Sequence, residues 1–258
     1  MITYEITISL ACYGRPEETK KTIESVMSQD MNGWELLIAG DNCPHFEALI
    51  KTGWFNELCK QALKKGNVIR YYNRSVRGGA WGTEITNANI RAAAGKYFVF
   101  LANDDRIAPN HLRSYYDAIT NPLSFKYTSL FEASGGYDFV YFNSLLPDGR
   151  IRETKLKHTQ VGHSEIIVRT SFLQQMHPHK PLYGQDWVLV KNMIKAGAKY
   201  FKSNNQPTYL IGHMPTPEEI QGYRRTGRSI EGWPWWKNIT RGIREGLKNM
   251  MSLKILTR

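Results

Sequence analysis

The residues in this sequence best suited to chemistry are carboxylates that follow apolar runs. Asn103-Asp104-Asp105 follows Tyr97–Leu101, an aromatic and β-branched stretch, with Ala102 between them. Neighbouring carboxylates at a strand tip repel each other unless a cation joins them. A divalent ion shared with phosphate oxygens, in the manner of Mg2+ or Mn2+, would supply that cation. A solvated turn with Asp105 capping the next helix would do without one. Asp41 ends the run Glu35–Ala39; a carboxylate there can accept hydrogen bonds from a base or ribose, or close an Asx-turn. Arg70, Arg74 and Arg77 surround a glycine-rich stretch, Arg77-Gly78-Gly79-Ala80-Trp81-Gly82. Glycines let backbone approach a ligand, and arginine suits a diphosphate. Gln185-Asp186-Trp187 opens a helical pattern, so Asp186 is either a first-turn acid or a general base. His213, between Gly212 and Met214-Pro215, and His163, after Gly162, read as metal ligands or as loop histidines. His177 and His179 flank Pro178 without a carboxylate partner and read as surface residues.

Elements must bring these groups together. Glu5–Ala11 alternates Ile6, Ile8 and Leu10 with Thr7 and Ser9, which predicts a strand. Pro16, followed by Glu17 and Glu18, starts a helix that runs to about Met27. Glu35–Ala39 is a second strand, stopped by Gly40-Asp41-Asn42. Phe46–Lys65 reads as helical with a break near Gly53, and Val68–Tyr72 as a third strand. Thr83–Ala94 is a helix with Gly95 in the C′ position, and Tyr97–Leu101 a fourth strand. Strands separated by helices imply an α/β fold with a three-layer, mostly parallel sheet. Ligands bind such sheets beyond the carboxyl ends of the strands. Three strand ends carry polar clusters: Tyr13-Gly14-Arg15, Asp41-Asn42 and Asn103-Asp104-Asp105. The second half is less regular. Phe139–Asn143, Glu165–Arg169, Tyr200 and Pro207–Ile211 read as strands, and Asp186–Ala196 as a helix.

With 258 residues and 41% hydrophobic content, the chain supports one large domain. No apolar run reaches the roughly 20 residues of a membrane span, and no signal pattern follows Met1, so a cytoplasmic location is expected. Cys12, Cys43 and Cys59 lack metal-ligand spacing and read as reduced thiols, which leaves the sequons at Asn73 and Asn238 little weight. Net charge of +11 points to a polyanionic partner: a nucleoside diphosphate, a nucleic acid or an anionic membrane surface. Residues 1–215 read as the main domain, with halves 1–105 and 106–215, and 216–258 as a basic tail. In the tail, Trp236, Ile239, Ile243, Leu247 and Met250 share one helical face, opposite Lys237, Arg241, Arg244 and Lys248. Such a helix fits either a membrane surface or another protein surface.

In order and spacing, these motifs resemble the family 2 glycosyltransferases, which have the GT-A fold, over roughly residues 5 to 213. Thr7-Ile8-Ser9-Leu10-Ala11-Cys12-Tyr13-Gly14-Arg15-Pro16 looks like that family's first strand and loop, with Gly14 where Asn is usual. Ala102-Asn103-Asp104-Asp105 looks like its Asp-x-Asp motif, with Ala102 in place of the first Asp. The resemblance implies a nucleotide-sugar site built from Ala11, Tyr13, Arg15, Asp41, Asn73, Gly78, Asn103 and Asp104; Arg224, in the basic stretch after a Pro-rich turn, reads either as closing over the donor diphosphate or as part of a solvated loop. It implies Mn2+ or Mg2+ at Asp104 and His213, and Asp186 as catalytic base. The implied reaction is an inverting transfer from a nucleotide-sugar, UDP-linked by default, to a hydroxyl of a glycan or lipid-linked acceptor. A nucleotidyltransferase is the alternative enzyme, but Tyr13-Gly14-Arg15-Pro16 has only one glycine for a phosphate loop. A non-enzymatic nucleic-acid-binding protein would suit the charge, but no nucleic-acid motif is visible.

Overall fold

The structure is a computed structural model that describes residues 4–79, 82–120, 136–176, 178 and 184–212. Among them, strands β1 (Tyr4–Cys12), β2 (Trp34–Gly40), β3 (Val68–Asn73) and β4 (Gly95–Ala102) form the parallel part of a large sheet. Three further strands extend it: β6 (Phe139–Tyr141), β9 (Ile166–Arg169) and β10 (Tyr200–Lys202), in the order β10-β6-β9-β4-β1-β2-β3. β9 runs antiparallel to both β4 and β6. A smaller sheet joins β5 (Arg106–Ile107), β11 (Tyr209–Leu210), β7 (Ser144–Leu145) and β8 (Ile151–Arg152) in that order. The expected strand at Phe139–Asn143 is shorter, ending at Tyr141, and the chain enters the smaller sheet just beyond it at Ser144.

Side-chain alternation decides the layers. On β4, Val99 and Leu101 join Ile6, Ile8 and Leu10 of β1 in one core. Ile23 and Val26 of α1 (Pro16–Met27) and Leu112 and Tyr115 of α5 (His111–Thr120) complete that layer. Phe98 and Phe100 face the other way, into a core with Ile166 and Val168 of β9. Leu189, Val190 and Met193 of α7 (Gln185–Lys195) close it. Each such side chain contributes about 1.5–3 kcal/mol when fully buried.

Thr7 and Ser9 are also buried, under α4 (Thr83–Ala92). Asn89 of that helix donates to Ser9 Oγ at 2.9 Å and to the Leu37 carbonyl at 3.2 Å. Thr7 donates to the fully buried Glu35 at 2.5 Å. Two expectations change here. The helix ends at Ala92, and Gly95 opens β4 instead of capping it. The amides of Ala94 and Gly95 go to Glu35 Oε1, and a Cβ at Gly95 would overlap the Ile6–Thr7 backbone. The glycine serves close packing of neighbouring strands. Arg70 also leaves the glycine-rich stretch: it reaches Glu35 at 2.5 Å and the Ala92 carbonyl at 2.8 Å.

The expected helix over Phe46–Lys65 is two helices, α2 (Pro44–Leu49) and α3 (Gly53–Lys64). Thr52 caps the second by accepting from the Phe55 amide at 3.2 Å. The remaining described helix, α6 (Thr170–Gln175), follows β9. No helix among the described residues is long and apolar enough to cross a membrane. The tail 216–258, with Arg224, lies outside the described residues, as do His177, His179 and His213.

Candidate active site

The parallel strands end in register. Ala11, Ala39 and Ala102 share one row, and Cys12, Gly40 and Asn73 the next. The polar clusters after β1, β2 and β4 therefore emerge along one edge. From β1 the chain proceeds to β2 and β3 on one side, while β4 lies on the other, so the topological switch point falls between β1 and β4. Arg15 and Asp104 meet across that crevice in an ion pair, both partly exposed. Asn103 donates to the Tyr13 carbonyl at 3.4 Å and to Thr19 Oγ1 at 3.2 Å, which ties the two strand ends together. Arg15 sits in the left-handed region at φ 47°, as does Gly14 at φ 61°. Glycine and asparagine both tolerate that region, which accounts for glycine where the family has asparagine.

Asp41 is buried, and both carboxylate oxygens are engaged by the glycine-rich stretch. Oδ1 accepts from the Gly78 amide at 2.7 Å and from Arg74 at 3.2 Å; Oδ2 accepts from the Gly79 amide at 2.7 Å. Gly78 has no room for a Cβ beside Arg74, and Gly79 has φ 63°. Arg74 also pairs with Glu84, and Arg77 lies 3.8 Å over the Tyr13 ring. Gly82 packs so close that its Cβ would stand 2.7 Å from that of Ala11. Asn73 accepts from the Cys43 amide at 3.0 Å and donates to its carbonyl at 3.2 Å, holding the turn after Asp41. Ala11, Tyr13, Arg15, Asp41, Asn73, Gly78, Asn103 and Asp104 thus lie along one edge.

Asp105 neither caps a helix nor faces the crevice. Its carboxylate accepts from the Tyr209 hydroxyl and, at 2.7 Å, from the Gly212 amide. Burial raises its pKa to about 6, against the lowering effect of those hydrogen bonds. Gly212 lies so close to the Asp104 backbone that a Cβ would overlap the Asp104 carbonyl. Among the described residues no group of three potential metal-binding side chains occurs. Asp104 is nonetheless a fitting ligand. Its carboxylate is partly exposed at the switch point, open to an ion that takes the place of Arg15. Mg2+-type ions need only one or two protein carboxylates when phosphates complete the shell.

Asp186 occupies the first turn of α7, after Gly184 at φ 76°. Thr83 donates to Gln185 at 2.6 Å, which draws the start of α7 against the start of α4. Asp186 Oδ1 lies 2.6 Å from His163 Nδ1. His163 stands in a 3-10 turn (His163–Glu165), its ring stacked on Phe100 at 4.8 Å and 19°. Phe100 belongs to β4, the strand that leads to Asp104. Sequence reading left His163 undecided, because its partner lies on another element with no helical or strand spacing between them. It also missed Glu165, which is 1% exposed and pins this turn. Glu165 accepts from Ser144 at 2.6 Å, from the Gly162 amide at 2.8 Å and from Arg152. Only its place at the head of an apolar run hinted at a buried acid.

The family model described as glycosyl transferase family 2 matches residues 7–177. An uncharacterized glycosyltransferase of Rickettsia bellii (strain RML369-C) is 26% identical over 156 residues, 58% of this chain. The match covers 20% of that relative, so the chain spans about a fifth of the length of the curated relatives it matches. Among solved structures, S. aureus TarS superposes with a TM-score of 0.57 at 14% identity, over 98% of this chain and 46% of that one. The mannosyltransferase PcManGT from Pyrobaculum calidifontis, in complex with GDP-Man and Mn2+, gives 0.58 at 11% identity, over 97% and 74%. TarS 1-349 in complex with UDP gives 0.56 at 12% identity, over 98% and 73%. These likenesses establish the GT-A fold. The chain belongs to glycosyl transferase family 2.

Proposed function

We propose that this domain moves a sugar from a nucleoside-diphosphate sugar to an acceptor hydroxyl in a single inverting displacement. The observation that carries the reading is the meeting of Arg15 and Asp104 at the switch point between β1 and β4. The donor's diphosphate would lie there, with its base toward Tyr13, Asn73 and the Asp41-held glycine stretch. UDP is the default nucleotide, in keeping with the UDP bound by TarS. GDP remains the second nucleotide to test, since PcManGT holds GDP-Man. Arg224 would supply a further cation, and residues 106–215 would read the acceptor, a glycan or lipid-linked hydroxyl of polysaccharide synthesis. The basic tail would rest on an anionic membrane at its cytoplasmic face.

Asp104 would hold Mn2+ or Mg2+, with His213 following Gly212 as a second ligand. When bound, the ion would offset charge on the departing diphosphate. Arg15, released from Asp104, would neutralise phosphate oxygens in the same crevice. Asp186 would take the acceptor hydroxyl's proton as its oxygen bonds to the sugar's anomeric carbon. The bond to phosphate breaks on the opposite face, and the nucleoside diphosphate leaves with the electron pair.

The test is Asp186→Asn beside wild type. Loss of a general base should lower turnover about 10²- to 10⁴-fold. Calorimetry should show nucleoside diphosphate binding with Mn2+ unchanged in that variant and lost in Asp104→Ala. Wild-type turnover in Asp186→Asn would remove the base assignment, and metal-independent binding in Asp104→Ala the ligand assignment.

A further inference from the structure

The 3-10 turn that carries His163 is tied down by a buried acid. Glu165, buried beneath it, takes hydrogen bonds from Ser144, Arg152 and the Gly162 amide. The His163 side chain is 13% exposed and lies flat on Phe100 of β4. From that platform Nδ1 meets Asp186 Oδ1 at 2.6 Å. An ionised carboxylate can only accept, so Nδ1 must carry the proton. A free imidazole prefers its proton on Nε2, so the contact selects the less common tautomer.

We infer that His163 is a positioning residue for Asp186: held on Phe100 and donating from Nδ1, it aims the carboxylate of α7 toward the edge where β4 ends. The inference deepens the proposed function and rests on Asp186 acting there as base. Asp186 stands on a half-buried first helical turn after a left-handed glycine, and its side chain is 36% exposed. A short acid in that setting samples several rotamers unless a partner selects one. The histidine is such a partner, and the Phe100 stack links its ring to the strand that leads to Asp104. A base is effective only when held within hydrogen-bond reach of the proton it removes. The histidine need not exchange a proton itself. Donation from Nδ1 is all this role asks, so an amide of similar reach should replace it.

Two measurements on the full chain test this. The first is the imidazole ¹⁵N spectrum near pH ~8, with His163 assigned by the signals missing from His163→Asn. The Nδ1-protonated tautomer is expected; the Nε2-protonated tautomer would overturn the inference. The second follows release of UDP from UDP-GlcNAc and of GDP from GDP-mannose, with kcat and KM taken separately. His163→Ala should lower kcat by about 10- to 100-fold, the usual weight of an orienting partner, and leave donor KM within about twofold. His163→Asn, which keeps a donor near the Nδ1 position, should recover to within about threefold of wild type. If Asp186→Asn is inactive while His163→Ala turns over like wild type, positioning fails and the base reading survives. If Asp186→Asn itself turns over like wild type, the base reading fails, and this one with it, whatever the tautomer.

Discussion

The two sides of the candidate site are held by different means. On the strand edge, Tyr13, Asp41 and Asn103 follow consecutive rows of one parallel sheet, and backbone register alone brings them side by side. The carboxylates at this edge are then engaged by chain that the register brings close: Asp41 by the amides of Gly78 and Gly79, Asp104 by Arg15. At the start of α7 no sheet edge does this work. Asp186 hangs from a helix start, and its place depends on His163, which depends in turn on Glu165, Ser144 and Arg152. A register tolerates the loss of one side chain. A chain of buried polar contacts does not, because each missing partner leaves another group buried and unpaired.

The sharpest way to break the contrast is Glu165→Ala. Removing one member of a buried ion pair typically costs about 3–5 kcal/mol. The loss should appear as a lowered denaturant midpoint, with turnover falling further than nucleoside diphosphate affinity. Equal losses in both would mean that the two sides are not separately supported.

A smaller effect belongs to the seam where the regions join, at Thr208 and Tyr209. His111 lies there fully buried, bonded to Thr208 at 2.9 Å, and burial pushes its pKa down to about 3. Unfolded, it would take a proton below about 6.5. Its contribution is therefore present above that pH and is lost as pH falls toward 3. Between pH ~7 and ~5 the loss should be about 2 kcal/mol. Asp105, raised to about 6, acts in the opposite sense: its penalty is full above pH 6 and is relieved as pH falls toward the ordinary carboxylate range. Stability measured against pH should thus fall only gently in wild type. In His111→Asn, where only the Asp105 response remains, stability should instead rise as pH drops through that window. An unchanged slope would show that His111 is not held neutral.

The smallest effect is expected at the rim of the strand edge. Arg77→Ala removes the cation–π contact with Tyr13, worth about 0.5–1 kcal/mol at an exposed position. Nucleotide affinity should change by no more than that equivalent, about fivefold, by calorimetry, and unfolding should hardly move. A larger loss of affinity would mean that Arg77 itself contacts the donor.

These differences follow how far each region could be read beforehand. The β1, β2 and β4 ends were legible because apolar alternation marks a strand and a polar cluster marks where it stops. The break before α3 was legible in part: Gly53 drew attention, whereas the Thr52 side chain ends the interruption. Gly95 was misread, since a glycine after a helical pattern looks like a helix stop. Its real constraint is the β1 backbone lying against it. Arg70 was grouped with Arg74 and Arg77 by proximity in the chain, but β3 sends it to Glu35.

Local sequence, then, determined the strands, the helices and the polar edge, because each rests on a periodicity or a terminus signal spanning a few residues. Tertiary structure alone decided which carboxylate does what. Asp104 and Asp105 are adjacent and chemically identical. Packing turns one into the crevice beside Arg15 and buries the other against Tyr209 and Gly212, a choice that depends on chain more than a hundred residues away. The same holds for His163 and Asp186, whose contact exists only because α7 and the 3-10 turn close on one face of β4. Side-chain partners across elements follow from three-dimensional packing, and no short-range pattern encodes them.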